Sequence, residues 1–361
     1  MENLVKLNLP KKNFWNNKKI FITGHTSFKG SWLKLWLEYL GAKVYGYSID
    51  YPSNPKNLNK ILFKEKFISQ SILDFKKLKK KIEKEKPDIV FHLAAQSIVS
   101  EAAKNPLDNY KTNIIGTASV LEASANCKNT KLVAIITTDK CYKENKKVKY
   151  YKEQSELGGS EPYSASKACA ELISESYYLK YEKLKKKIIT LRAGNVIGGG
   201  DWKKNRIIPD ILKSIIQNKT LYLRHPNSVR PWLHVLDCLN GYLIAAEYSF
   251  KGIITFNSWN FAPNLNNQIT VQELVKIFLL RFKKKNKIKI LKKNKFYESN
   301  KLNLGAKKAK LELKWKTILN QKKTVDFIFE WYNNYLNRVN MKNFSIQQIK
   351  KFYRMAKIKN I

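Results

Sequence analysis

The opening of the chain restricts its fold more than any other stretch. Lys19-Ile20-Phe21-Ile22-Thr23 reads as a short buried strand, and Gly24-His25-Thr26-Ser27-Phe28-Lys29-Gly30 follows as a turn. Ser31 to Leu40 then reads as a helix, with Trp32, Leu33, Leu35, Trp36, Leu37 and Leu40 available for its buried side. Gly41 stops that helix, Lys43–Ile49 is the next strand, and Asp50 closes it. Strand, glycine turn, helix, strand and acid in this order form the opening βαβ unit of a dinucleotide-binding fold. Such a turn lets backbone N–H groups and the helix N-terminus approach a pyrophosphate. Asp50 is then expected to bond the ribose hydroxyls and to favour NAD over NADP. Serine occupies the middle position of Gly24-x-x-Ser27-x-x-Gly30, where a positive φ would strain it. His25 and Lys29 bring positive charge close to the phosphates.

Strands and helices keep alternating beyond this unit. Phe67–Ser71 is a candidate strand, Phe75–Lys84 a lysine-rich helix, and Pro87–Leu93 a buried strand. The small-residue turn Ala94-Ala95-Gln96 precedes a helical stretch, Pro106–Asn126, and Leu132–Thr138 is a further β-rich run. Tyr163 begins a helix expected to reach about Leu184, and Lys187–Leu191 is another strand. This pattern predicts an α/β fold of Rossmann type, a doubly wound parallel sheet with a smaller α/β substrate unit near the C-terminus. The expected division is 18–193, with 231–258 returning to it, for the NAD-binding unit. Residues 194–230 and 259–361 are expected to form the second unit, and 1–17 a polar leader. Ligands bind outside the carboxyl ends of parallel strands, which is where Gly24, Ala94–Gln96, Thr138–Lys140 and Asn195 would meet. Gly198-Gly199-Gly200, ahead of Asp201-Trp202, predicts a mobile loop over a substrate. An amphipathic helix is expected after Arg338.

Composition excludes several classes. The 361 residues are 43% hydrophobic and 12% aromatic, as in a folded globular chain. No apolar stretch nears the ~20 residues that span a bilayer, and Met1–Lys19 carries no apolar signal core. The cytoplasm is the expected location. Cys127, Cys141, Cys169 and Cys238 are not closely spaced and do not cluster with the four histidines, so neither a metal site nor a disulfide framework is expected. The net charge of +41 comes mostly from scattered lysines. It reads as lysine-rich drift on solvated faces, with salt-sensitive polyanion binding as its only consequence and no specific nucleic-acid partner. Against that background the seven arginines are informative, and Arg192, Arg206, Arg224 and Arg230 fall within one short span. A retained guanidinium there serves either bidentate phosphate recognition or pairing with a carboxylate.

The chemistry centres on Tyr163-Ser164-Ala165-Ser166-Lys167. Residues four apart share one helix face. A phenol with a pKa near ~10 is a poor base at neutral pH, and a neighbouring ammonium favours its ionised form. The pair is a device for taking a proton from a sugar or alcohol hydroxyl. Asp139-Lys140 stands at the carboxyl end of the strand just ahead of it.

Taken together, these stretches resemble the extended short-chain dehydrogenase/reductase family, in its nucleotide-sugar-modifying branch. The likeness runs from about Lys18 to Glu247. Within that branch, Thr23–Leu33, Thr138-Asp139-Lys140-Cys141-Tyr142, Arg192–Trp202 and Arg230-Pro231-Trp232 are most similar to CDP-glucose 4,6-dehydratases. The resemblance implies NAD contacts from Gly24, Ser27, Phe28, Gly30, Asp50, Ile72, Ala94, Ala95, Asn113 and Lys167. It implies a nucleotide-sugar substrate, CDP-glucose by preference, held by Gln96, Asn195, Arg206 and Arg230. Tyr163 with Lys167 would remove the C4 hydroxyl proton as hydride leaves C4, Thr138 would bond O4, and Asp139 would protonate the departing C6 hydroxyl. Either Lys140 or Tyr163 would take the C5 proton. A homodimer or homotetramer is implied as well.

Ser27 and Ser71 depart from the family's usual glycine and aspartate, which bears on NAD retention. A 4-epimerase of the same fold is the nearest rival, but it needs no acid to expel a hydroxyl. A basic, non-enzymatic NAD-binding scaffold is a second, and it has no use for Thr138, Asp139, Tyr163 and Lys167 together.

Overall fold

Ile20 and Ile22 point into one hydrophobic core while Phe21 between them points into another. The same alternation holds for Ile89 and Phe91 against Val90, and for Leu132, Ala134 and Ile136 against Val133 and Ile135. A strand buried on both faces needs apolar residues at every position, which explains the unbroken runs in the sequence. The computed structural model describes residues 7–52, 57–63, 68–145, 147–204, 206–263, 269–291 and 303–358.

The central sheet has six strands: β1 (Lys19–Thr23), β2 (Lys43–Tyr47), β3 (Ile89–His92), β4 (Leu132–Ile136), β5 (Lys187–Ala193) and β6 (Phe256–Phe261). Their spatial order is β6-β5-β4-β3-β1-β2, and every pairing is parallel. Helices Phe28–Tyr39 and Val235–Lys251 cover one face; Phe75–Glu85 and Gly116–Asn126 cover the other. The order reverses between β1 and β3, and a crevice opens at such a point beyond the carboxyl ends of the strands.

A smaller α/β unit caps that edge. Its helix Ile207–Gln217 buries Ile208, Ile211, Leu212 and Ile215. Its short strands pair Leu221–Leu223 with Ile288–Ile290 and Val229–Arg230 with Ile269–Thr270. Helices Val271–Arg281 and Gln321–Leu336 complete it.

Several expectations need correction. Phe67 lies outside the described residues, and 68–71 form no strand. That polar stretch meets the segment after β2 through one backbone bond, Gln70 N to Ser48 O at 2.8 Å. The leader is part of the fold from Leu7 onward: Trp15 is fully buried and its indole donates to Glu247 Oε1 at 2.6 Å. Trp259–Phe261 belong to β6, not to the smaller unit. The C-terminal helix Met341–Ile358 is amphipathic, but it packs on helix Phe28–Tyr39 of the large unit, with Phe352 edge-on to Trp36 at 5.6 Å. Ser27 shows no strain, because its φ is −69° and its side chain caps the helix by accepting from Gly30 N at 3.1 Å.

The triple glycine is buried, not a mobile loop. A β-carbon at Gly199 would overlap the ring of Trp331, and one at Gly200 would overlap Leu58. The Trp32 indole donates to Gly199 O at 2.9 Å. These glycines admit large side chains between two units. Among the described residues no helix is long and apolar enough to cross a membrane, and all four cysteines are free.

Candidate active site

The turn after β1 carries the positive φ at Gly24 (+74°), and its N–H donates to Tyr47 O at 2.8 Å. A β-carbon on Gly24 would stand 2.6 Å from Ala94 N, so the turn and the segment after β3 approach as only glycine allows. Gly30 packs equally closely on the Gly24 carbonyl. This glycine-lined cradle, with the capped N-terminus of helix Phe28–Tyr39 beside it, fits the pyrophosphate of a dinucleotide. His25 turns the other way: its ring lies over Gly46 and bonds Ser48 Oγ at 2.8 Å, which keeps it within the strand packing.

A cavity of about 420 Å³ opens at the carboxyl edge. It brings together Ser27, Phe28, Lys29, Ala95, Thr138, Asp139, Lys140, Tyr163, Lys167, Asn195, Arg206 and Arg230. Those residues come from four strand ends, from the helix Pro162–Ser176 and from the smaller unit.

Thr138 ends the run after β4 in extended conformation and caps a short 3-10 turn, Asp139–Cys141. Its hydroxyl donates to Asp139 Oδ1 at 2.9 Å, accepts from Lys140 N at 3.4 Å and shares a hydrogen bond with Tyr163. Its single proton can serve Asp139 while Tyr163 is a neutral phenol, or turn to the phenolate once Tyr163 ionises. Both Asp139 and Tyr163 are buried.

Tyr163 and Lys167 lie on helix Pro162–Ser176, which starts with a proline in its first turn and a capping box between Glu161 and Ser164. Lys167 Nζ donates to Ile136 O, the last carbonyl of β4, at 3.2 Å. Burial pushes its pKa down to about 8, helped by repulsion from Lys29 and opposed by Glu171 and Cys141. Burial also pushes the Tyr163 phenol up, and Asp139 adds to this, against the Thr138 hydrogen bond and Arg206. The net shift is upward, so the expected lowering of the phenol by its lysine does not prevail in this structure. Lys29 is held low by burial and by Arg206, with its Nζ 3.4 Å from the Tyr242 hydroxyl.

Arg206 stands immediately before helix Ile207–Gln217 without a capping bond of its own, pairs with Asp201 at 3.1 Å and reaches Ser97 Oγ at 3.4 Å. Asn195 takes a positive φ of +45° on the cavity wall. Arg230 is buried on the strand Val229–Arg230.

Other expected residues stand outside the cavity wall. Asp50 is exposed three residues beyond β2, and its carbonyl accepts from Thr26 Oγ1 at 2.6 Å. Ile72 is buried against Gly116. Ala94 forms the backbone floor beside Gly24. Asn113 lies on a π-helical turn, Lys111–Ile115, within the expected helical stretch Pro106–Asn126. It braces the site by accepting from Gln96 N at 2.9 Å and donating to Gln96 O at 3.0 Å and Ser166 Oγ at 2.9 Å. The Gln96 amide is engaged at both ends, accepting from Asn109 at 2.7 Å and donating to Ile98 O at 3.2 Å.

The wall also holds residues that no motif singled out: Ser97, Lys203, Tyr222 and His225. Arg192 answers the arginine question in the other direction. It is buried and bidentate to Glu171, at 2.9 and 2.8 Å.

Residues 20–292 match the profile of the NAD dependent epimerase/dehydratase family. A CDP-glucose 4,6-dehydratase of Salmonella typhimurium is 38% identical over 339 residues, covering 91% of this chain and 94% of its own. Among solved structures, a UDP-glucose 4-epimerase of Thermotoga maritima superposes with a TM-score of 0.75 at 25% identity, covering 88% of this chain and 99% of that one. A dTDP-glucose 4,6-dehydratase of Streptomyces venezuelae, solved with NAD bound, has the same TM-score at 20% identity, covering 89% of this chain and 98% of that one, a likeness of fold.

Proposed function

The chain belongs to the NAD dependent epimerase/dehydratase family, and on that premise we propose that it is a nucleotide-sugar 4,6-dehydratase. Its substrate is CDP-glucose and its product CDP-4-keto-6-deoxyglucose. One observation carries this reading: the carboxylate of Asp139, buried and bonded to Thr138, lines the same cavity as Tyr163 and Lys167. An acid beside the oxidising pair is what dehydration needs and epimerisation does not. The relative in Salmonella typhimurium supports the choice of nucleotide.

Bound NAD supplies the hydride acceptor for C4 and the hydride donor for C6. Gly24, Gly30 and the helix N-terminus at Phe28 would hold its pyrophosphate. In its phenolate form Tyr163 takes the C4 hydroxyl proton, with the Thr138 hydroxyl free to turn toward the phenolate and O4. The Lys167 ammonium, anchored on Ile136 O, stabilises the phenolate. A carbonyl at C4 acidifies C5; Lys140 and Tyr163, both on the cavity wall, are the two candidate bases for that proton. Asp139, in its protonated carboxyl form, gives a proton to the departing C6 hydroxyl, which leaves as water, and the base that took the C5 proton returns one to C5 when hydride is added at C6. Asn195, Arg206 and Arg230 contact the sugar diphosphate and nucleotide. The cycle has no net redox change.

The reading includes a cytoplasmic location, consistent with four free thiols, assembly as a homodimer or homotetramer, and a product used in deoxysugar biosynthesis such as that of lipopolysaccharide. The test is incubation of protein and NAD with CDP-glucose, dTDP-glucose, UDP-glucose and GDP-mannose separately. A 4-keto-6-deoxy product from CDP-glucose is expected. Conversion to the galactose epimer without loss of water would sink the reading.

A further inference from the structure

We propose that the buried pair Glu171–Arg192 is a positioning device that sets the acid Asp139 relative to Tyr163; the role rests on the dehydratase reading above. Arg192 spends its guanidinium entirely inside the protein. It forks onto both oxygens of Glu171, and its Nη1 donates to Tyr142 Oη at 2.7 Å and to Glu153 O at 2.9 Å. Glu171 also accepts from Thr137 Oγ1. Thr137 and Tyr142 flank the segment Thr138–Cys141, so both ends of the turn that carries Thr138, Asp139 and Lys140 are fastened to one ion pair.

The same pair reaches the other catalytic groups. Glu171 stands eight residues after Tyr163 and four after Lys167 on helix Pro162–Ser176, on one helix face. Arg192 stands two residues before Gly194, which abuts the Asp139 carboxylate. Tyr142 Oη carries the constraint onward to Asn260 of β6, donating at 2.7 Å. Helix, turn and strand, which bear every proton-handling residue named above, therefore share one node.

A buried ion pair is a weak source of stability, since apolar residues of similar volume often replace it without loss. A planar fork does fix angles that apolar contacts leave free. Displacement of a reacting group by about 1 Å costs roughly 100-fold in rate. The pair's value here is therefore geometric.

Removing one partner strands a buried charge and endangers folding. The test uses the paired variant Glu171→Leu with Arg192→Met, together with Arg192→Lys, which keeps the charge and loses the fork. Turnover of CDP-glucose is measured well below the unfolding midpoint, beside NAD affinity by titration. The expected result is a kcat lower by roughly 100-fold in the paired variant and by roughly 10-fold in Arg192→Lys, with KM and NAD affinity within about twofold of the parent. A kcat within about twofold of the parent in either folded variant overturns the proposal. So does a rise in KM that accounts for the whole loss. If the paired variant does not fold, Arg192→Lys alone decides by the same criteria. Failure of the parent enzyme to form a 4-keto-6-deoxy product counts against the functional reading instead.

Discussion

Gly194 leaves no room for a β-carbon beside the carboxylate of Asp139: one built there would overlap both Oδ2 and Cγ. Asp139 cannot swing aside freely, because Thr138 holds its Oδ1 at 2.9 Å and the side chain is buried. Gly194→Ala is therefore expected to displace the acid while leaving the β1 turn intact. Loss of water should slow by roughly 100-fold, the scale of a misplacement near 1 Å, with NAD affinity unchanged. Product formation and a binding titration on the same preparation check this; unchanged turnover would show that the carboxylate needs no fixed place.

Asp139→Asn separates the two halves of the chemistry. The amide keeps the shape and can still accept from Thr138, but it has no acidic proton for a leaving hydroxyl. Oxidation at C4 should persist and elimination should stop. Reduced nicotinamide would then accumulate after mixing with CDP-glucose, visible by its absorbance in a single turnover. Equal loss of both steps would reject the assigned role.

Ser27 makes a prediction opposite to the one its sequence position suggests. At φ −69° it is an ordinary cap for helix Phe28–Tyr39, bonded to Gly30 N. Restoring the family glycine relieves no strain. Ser27→Gly should cost a few tenths of a kcal/mol, and Ser27→Ala about 1 kcal/mol. Denaturant titration of both variants measures the ranking, and a Ser27→Gly variant more stable than the parent would overturn this account.

The sheet was legible because a parallel strand buried on both faces leaves a signature that little else does, as in Lys19–Thr23 and Leu132–Ile136. Tyr163 and Lys167 were legible because their spacing is local. What was missed depends on partners far away in the chain. Arg192 and Arg206 look alike in sequence, yet Arg192 is claimed by Glu171, 21 residues earlier on another element, and Arg206 reaches the cavity. Gly198–Gly200 could equally flex or admit bulk; only Trp331 and Leu58, distant in sequence, decide it. Trp15 sits among lysines with no periodicity to mark it, and its partner is Glu247. Tyr222 and His225 share the cavity wall through the pairing of Leu221–Leu223 with Ile288–Ile290, which no local pattern encodes.

The alkaline limb of the pH profile should belong to Lys167. Burial first, and then repulsion from Lys29, lower its pKa from 10.5 to about 8, against attraction from Glu171 and Cys141. For stability, the unfolded chain keeps a proton between pH 8 and 10.5 that the folded chain has released. Unfolding then takes up a proton, so the stability contribution of this group rises with pH across that window and is at its lowest below about 8. Activity runs the other way, because only the ammonium stabilises the Tyr163 phenolate, and that form disappears as pH rises through about 8. The expected profile is a kcat/KM that falls above about 8 with the slope of one proton, while the protein stays folded. Lys167→Arg keeps a cation at all accessible pH values. It should be slower overall, since a planar group cannot reproduce the contact with Ile136 O, but its alkaline limb should shift to higher pH. If the variant shows the same limb as the parent, some other group controls it and Lys167 is not the phenolate's counter-charge.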